Sequence, residues 1–147
     1  MQLTRAADYA VRVMIHLAVL PPGSRINRNG LAEVAEVPAH FLSKVLQILV
    51  RARLVVAHRG NSGGFALALP AEQVSVLRVV EAVEGPIALN VCSTSGSGCS
   101  RQGWCPAHLV WLEAQAALTQ VLKNASIAKL AGEVRTPFES KVIYPWN

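Results

Sequence analysis

Apolar residues recur at three- and four-residue spacing through the first twenty positions, a pattern that predicts an amphipathic helix. The stripe that would face a core consists of Ala7, Ala10, Val11, Met14, Leu17 and Ala18. Thr4 stands just before the stripe, and its hydroxyl can cap a helix N-terminus. The stretch PPGS at 21–24 ends the predicted helix.

A short helix in GLAEVAEV, a turn at Pro38 and a longer helix in AHFLSKVLQILVRARL together predict a helix-turn-helix. The apolar face of the longer helix consists of Phe41, Leu42, Val45, Ile48 and Leu49. Its opposite face is polar and cationic and consists of His40, Ser43, Lys44 and Gln47. Such a helix fits the major groove of DNA, although an ordinary solvated helix face has a similar composition.

Two β-type runs follow, LVVAH at 54–58 and FALAL at 65–69, joined by the turn-forming RGNSGG. A hairpin directly after a helix-turn-helix predicts a wing. Arg59 at its tip is then in position to enter a minor groove.

The second half of the chain predicts three more helices. The first lies in VSVLRVVEAVEG, and the second begins at Pro106 and continues to Asn124. The third is short, lies in IAKLAGEV and is capped by Ser126. The second of these helices has an apolar stripe that no later element is large enough to cover, which favours pairing with a second copy of the chain. This stripe consists of Leu109, Leu112, Ala116 and Val121.

These elements predict a mainly α fold with a small β-hairpin wing, in which a winged helix-turn-helix domain precedes a long dimerisation helix. We divide the chain into a DNA-binding domain (1–85), a cysteine loop (86–105), the dimerisation helix with the short helix (106–135), and a tail (136–147). The chain has 147 residues and is 52% apolar, which is enough for a core without disulfides.

Charge is distributed unevenly. Residues 1–70 carry eight basic and three acidic side chains, and the remaining residues carry six of each. The excess in the first half is expected if that half meets a polyanion, the alternative being a solvated basic surface. Arg5 and Arg51 are candidate phosphate contacts.

No apolar run reaches the roughly 18 residues that a membrane span needs. We therefore expect a soluble cytoplasmic protein without membrane association. Structural disulfides are rare in that compartment, so clustered cysteines there indicate metal or redox chemistry.

All three cysteines lie in one segment, with the spacing Cys92-x6-Cys99-x5-Cys105-x2-His108. Thiolates and imidazole bind both zinc and iron–sulfur clusters. A structural zinc site, a metal-free redox thiol and a cluster wrapped by the glycine–serine loop all remain open on spacing alone. No Cys-x-x-Cys is present to pair two sulfurs at once.

Five features together resemble the Rrf2 family of bacterial winged-helix regulators: MQLTRAADYAVR, HFLSKVLQILVRARLV, RGNSGGFALALP, VVEAVEGP and the ordered cysteines. The resemblance implies a homodimer on a roughly palindromic operator. It also implies that a long helix pairs the subunits, and that an iron–sulfur cluster on Cys92, Cys99 and Cys105 switches the affinity for DNA.

The chain departs from the family pattern in the first cysteine gap, which is one residue longer than in the best-known members. It also matches two solutions for the fourth ligand. IscR-like members resemble it in the pair Cys105 and His108, which implies a two-iron cluster. NsrR-like members resemble it in Asp8, contributed by the partner subunit to a four-iron cluster. We favour His108 and a two-iron two-sulfur cluster, because Cys105 and His108 share one helical turn and need little extra ordering.

The sequence therefore predicts a DNA-binding repressor that senses redox state, nitric oxide or iron supply, and not an enzyme. A metal-free thiol or zinc-containing winged-helix regulator is the nearest alternative. An iron–sulfur electron carrier would explain the cysteines but would not explain the excess of basic residues at 1–70.

Overall fold

The computed structural model describes residues 2–94 and 99–134, and within them the predicted order of helices and strands is confirmed. The predicted tail at 136–147 and the loop interior at 95–98 lie outside the described residues. The helices are α1 (Arg5–Val19), α2 (Arg28–Val34), α3 (Ala39–Arg51), α4 (Val76–Glu84), α5 (Pro106–Asn124) and α6 (Ile127–Gly132). The antiparallel strands are β1 (Val55–His58) and β2 (Gly64–Leu67), and short 3-10 helices lie at Ala71–Gln73 and Val91–Ser93.

Side-chain caps fix where the helices begin. The Thr4 hydroxyl accepts a hydrogen bond from the Ala7 amide at 3.3 Å, and the Ser126 hydroxyl accepts one from the Lys129 amide at 3.1 Å. Both predicted caps are therefore confirmed. Each satisfies a backbone N–H that the first turn of a helix leaves unpaired.

The turn between α2 and α3 passes through Glu36, which adopts a left-handed backbone conformation with φ of 52°. For a residue with a Cβ this conformation costs about 1–2 kcal/mol. The turn is held by the Val37 amide, which donates to the Ala32 carbonyl at 3.0 Å, and by burial of the Val37 side chain. These contacts set the angle at which α3 leaves α2.

The hairpin is joined to the helix-turn-helix by backbone pairing. Ile26, just before α2, exchanges two hydrogen bonds with Phe65 of β2, at 3.2 and 2.9 Å. Gly64 permits this approach, because a Cβ there would lie 2.7 Å from the Ile26 carbonyl oxygen. The wing is thus fixed relative to α2 and α3. The strands are shorter than predicted, and Leu54 belongs to the core.

The core is shared by α1, α3, α4 and α6. In α3 the buried residues are Leu42, Val45, Leu46 and Leu49, whereas the predicted face had Phe41 and Ile48, which are only partly buried. The buried face is rotated toward Leu46 because the hairpin packs on that side of the helix. A helical period alone does not reveal this second neighbour.

The last two helices differ in how they pack. Ile127 of α6 is fully buried. The Val76 amide donates a hydrogen bond to the Ala125 carbonyl, and the Ile127 amide donates one to the Val74 carbonyl, both at 2.8 Å. Helix α6 thus shares the core of the winged domain. By contrast, α5 has no fully buried residue among those described, and all four residues of its predicted stripe are exposed. No helix in the described part of the chain is long and apolar enough to cross a membrane.

We expect the fold to lose stability at mildly acidic pH through His16, a half-buried residue in the last turn of α1. Desolvation lowers the pKa of His16; Glu36 opposes this shift and Arg12 adds to it. Because the pKa is lower in the folded than in the unfolded chain, the unfolded chain takes up more protons on acidification. Neutral His16 therefore leaves the free energy of unfolding undiminished above the unfolded-chain pKa of about 6.5. The free energy of unfolding decreases as the pH falls through that value toward the pKa of the folded protein.

Urea unfolding at about pH 7.5 and about pH 5.5 measures this effect. His16→Gln should show a smaller loss between the two pH values than the wild type. An equal loss in both proteins would rule out His16 as the source.

Candidate nucleic-acid interface and cysteine segment

The polar face of α3 is available to a partner. His40, Lys44 and Gln47 are exposed on it. The His40 ring lies 4.8 Å from the Phe41 ring between centroids, and Phe41 meets Tyr9 of α1 edge-on at 5.6 Å. The start of α3 is therefore held against α1 by aromatic contacts, which orient the face carrying the three side chains.

Ser43, the fourth residue predicted on this face, is half-buried and engaged within the protein. Its hydroxyl donates to the Ala39 carbonyl at 3.3 Å and accepts from Arg28 Nη1 at 3.4 Å. Sequence reasoning missed Arg28. Its place as the first residue of α2, after the capping Asn27, was the available signal.

A groove of about 490 Å³ runs between α3 and the hairpin, and we call it the α3–hairpin groove. Its lining combines polar side chains of α2 and α3 with apolar side chains of α3 and both strands. Its residues are Arg28, Ser43, Leu46, Gln47, Val50, Arg51, Ala57 and Phe65. The structure thus brings together three predicted DNA contacts, Ser43, Gln47 and Arg51.

The other two predicted arginines lie away from this groove. Arg59 is exposed directly after β1, where the Gly63 amide closes the hairpin turn onto the Gly60 carbonyl at 2.9 Å. Arg5 is exposed at the first position of α1. In the described residues, neither arginine forms an ion pair, so both charges are available to an anion.

The three cysteines are half-buried and form no disulfide among the described residues. Cys92 lies in the 3-10 helix Val91–Ser93, and Cys105 occupies the N-cap position of α5, before Pro106. Within residues 2–94 and 99–134, no three Cys, His, Asp or Glu side chains are close enough to hold one metal ion. The structure therefore places the predicted ligands in neighbouring segments without gathering them.

His108 carries an unusual nitrogen. Its Nδ1 atom is buried and has no hydrogen-bond partner among the described residues, and its backbone amide donates to the Cys105 carbonyl at 3.1 Å. An unsatisfied buried polar atom costs roughly 1–3 kcal/mol. A nitrogen in this state is suited to a ligand, and it lies one helical turn from a free thiol.

Gln115 ties the cysteine segment to α5. Its Oε1 accepts from the Leu89 amide at 3.1 Å, and its Nε2 donates to the Ser93 carbonyl at 3.4 Å. Sequence reasoning missed this residue, because a glutamine on an amphipathic helix gives no sign of a partner over twenty residues away. The Cys92 end of the segment is held beside α5 as a result.

Asp8, the alternative fourth ligand, lies exposed in the first turn of α1. Its Oδ2 is 2.9 Å from Arg12 Nη2 one turn later. This ion pair gives the carboxylate a structural role within its own subunit.

The candidate ligands are of the chemical types that a metal cluster requires. Three free thiols and an unpartnered imidazole nitrogen are the ligand types that iron–sulfur clusters and zinc accept.

The Rrf2 family model, described as an iron-dependent transcriptional regulator, matches residues 3–133. A Mycobacterium tuberculosis protein named as a predicted HTH-type transcriptional regulator, Rv1287, is 33% identical over 133 residues. The match covers 90% of this chain and 82% of the relative.

Solved structures share the fold. CymR, the global cysteine regulator of B. subtilis, gives a TM-score of 0.76 at 21% identity, over 92% of this chain and 99% of that one. The oxidised form of Staphylococcus aureus CymR gives a TM-score of 0.72 at 26% identity, over 92% of this chain and 100% of that one. IscR of T. potens gives a TM-score of 0.74 at 19% identity, over 92% of this chain and 89% of that one.

Proposed function

From the premise that the chain belongs to the Rrf2 family of transcriptional regulators, we propose that it is a dimeric repressor whose affinity for a roughly palindromic operator depends on an iron–sulfur cluster. The observation that carries the proposal is the exposed cationic face of α3 beside a hairpin that is fixed relative to it. Function in contact with the chromosome implies a cytoplasmic location.

DNA binding would use α3 in the major groove and the hairpin in the next minor groove. His40, Ser43, Lys44 and Gln47 then face the duplex, and Arg59 enters the minor groove. Arg5 and Arg51 meet phosphates. The hydrogen bonds between Ile26 and Phe65 support this arrangement, since they join the hairpin to the segment that leads into α2.

Dimerisation would cover α5. Leu109 and Val121 are 71% and 66% exposed, and Trp111 lies on the same helix with 40% exposure. Exposed apolar side chains in this number mark a protein interface. A second copy of α5 would cover them and set the two α3 helices to meet half-sites about one helical turn apart, or a multiple of that.

Cys92, Cys99 and Cys105 would hold the cluster, with His108 as fourth ligand and Asp8 of the partner subunit as the alternative. When bound, the cluster supplies a centre that responds to redox state, nitric oxide or iron supply. A two-iron two-sulfur cluster is favoured over a four-iron four-sulfur cluster, because Asp8 is already paired with Arg12 and the His108 Nδ1 atom has no partner in the part of the chain that the structure describes. Gln115 would keep Cys92 against α5, so that closure of the segment changes the surface on which the subunits meet.

A regulator that uses its thiols without metal, or holds zinc, is the second candidate. It is favoured by the absence, within the described residues, of three gathered ligands, and by the similarity to CymR, a cysteine regulator.

Two substitutions on α3 test the DNA-binding proposal. Lys44→Ala removes a phosphate contact, so it should weaken binding across sequences and lower the slope of log K against log salt by about 1. Gln47→Ala should instead relax discrimination at one base pair by ~1–3 kcal/mol, as expected for a bidentate base contact.

Both are measured by fluorescence anisotropy on duplexes selected by the wild-type protein from a random library. Lys129→Ala on α6 is the matched control, because it removes an exposed lysine remote from α3. Unchanged binding in both α3 variants would show that another surface meets the duplex.

A further inference from the structure

Two guanidinium groups, those of Arg28 and Arg51, lie at the α3–hairpin groove, and no carboxylate of residues 2–94 or 99–134 lines it. In the described part of the chain neither arginine forms an ion pair. The lining also includes apolar side chains, among them Leu46 and Phe65. A groove lined by two guanidinium groups and by apolar side chains favours an occupant that carries negative charge beside apolar surface, and the sugar–phosphate strand of DNA has both.

The Ser43 hydroxyl has one hydrogen, and it is donated to the Ala39 carbonyl. The oxygen of the same hydroxyl accepts from Arg28 Nη1. In this arrangement both the hydrogen and the oxygen of the Ser43 hydroxyl are engaged within the protein. Arg28 has five N–H donors in a planar fork, and within the described residues this is its one side-chain hydrogen bond.

We infer that Arg28 contacts the DNA strand lying in the α3–hairpin groove, and that Ser43 is a positioning residue that holds Arg28 there. The inference rests on the proposed function. If α3 occupies the major groove and the hairpin the adjacent minor groove, the strand that separates these grooves passes between them. Helix α2 thus contributes a phosphate contact, and Ser43 acts through Arg28.

The test uses the full chain and a fluorescent duplex of mixed sequence, titrated over a range of salt concentrations. Arg28→Ala should reduce affinity roughly tenfold, as expected for one charged hydrogen bond, and lower the salt slope by about 1. Arg28→Lys should retain the slope, because it keeps the charge. Arg78→Ala, which removes an exposed arginine of α4 outside the groove, should leave both quantities unchanged.

Ser43→Ala should keep the salt slope and weaken binding, and Arg28→Ala should then cost less in the Ser43→Ala background than in the wild type. If the wild type binds DNA and Arg28→Ala has the same salt slope as the wild type, Arg28 does not contact the strand, and the proposed function still stands. Additive effects of the two substitutions would overturn the positioning role of Ser43. A wild type that binds no duplex would overturn the proposed function and this inference with it.

Discussion

Replacing Cys99 by alanine should abolish the visible absorption and the bound iron of protein purified without oxygen, while leaving a folded dimer. The reason is that a cluster held by three thiolates would lose one of its anionic ligands. Iron and sulfide analysis together with the absorption spectrum measures the loss.

Ser100→Ala is the matched control, since it changes the adjacent exposed residue and removes no thiol. It should retain wild-type iron. Normal iron content in Cys99→Ala would eliminate the three-thiolate site, and a colourless wild type with stoichiometric zinc would establish the zinc alternative.

The same spectra distinguish the fourth ligand. His108→Ala should perturb the cluster spectrum and remove an acid-induced loss of the cluster, because a metal-bound imidazole nitrogen must be deprotonated. Asp8→Ala should do neither. A four-iron spectrum lost in Asp8→Ala and retained in His108→Ala would reassign the ligand to Asp8 of the partner subunit.

Leu109→Glu should convert the dimer to a monomer and reduce affinity for a two-half-site operator by roughly 10²-fold or more. The glutamate would place a charge in the exposed apolar face of α5, which we propose that a second subunit covers. Loss of the dimer makes each half-site a separate binding event, which removes the 10²- to 10⁴-fold gain of bivalent binding.

Analytical ultracentrifugation and anisotropy on the same samples measure both effects. Val19→Glu is the control, because it adds the same charge to another exposed apolar residue, at the end of α1. A dimeric Leu109→Glu protein would place the subunit interface elsewhere.

Much of the fold was predictable because local signals agree with the tertiary structure. The hydroxyls of Thr4 and Ser126 cap the helices they precede, and Pro106 begins α5, as predicted. In each case the controlling interaction spans only a few residues.

The remainder depends on neighbours that are distant in sequence. Burial of Leu46 requires the hairpin, burial of Ile127 requires the first domain, and the pairing of Arg28 with Ser43 joins two helices across a turn. Gln115 reaches two backbone groups more than twenty residues away. Periodicity and capping patterns carry no information about such partners, so these residues could be assigned only from the structure.

The proposed coupling between the cysteine segment and DNA binding by α3 and the hairpin is tested most directly by one titration on an operator duplex selected by the wild-type protein. Affinity is compared between anaerobically purified protein and the same sample after its metal has been removed by oxidation and chelation. We expect the two dissociation constants to differ by roughly 5- to 150-fold, the usual range for coupled sites, and the difference to reverse on reconstitution and to be absent in Cys99→Ala. Equal affinities of the metal-containing and metal-free wild type would contradict a cluster-controlled regulator.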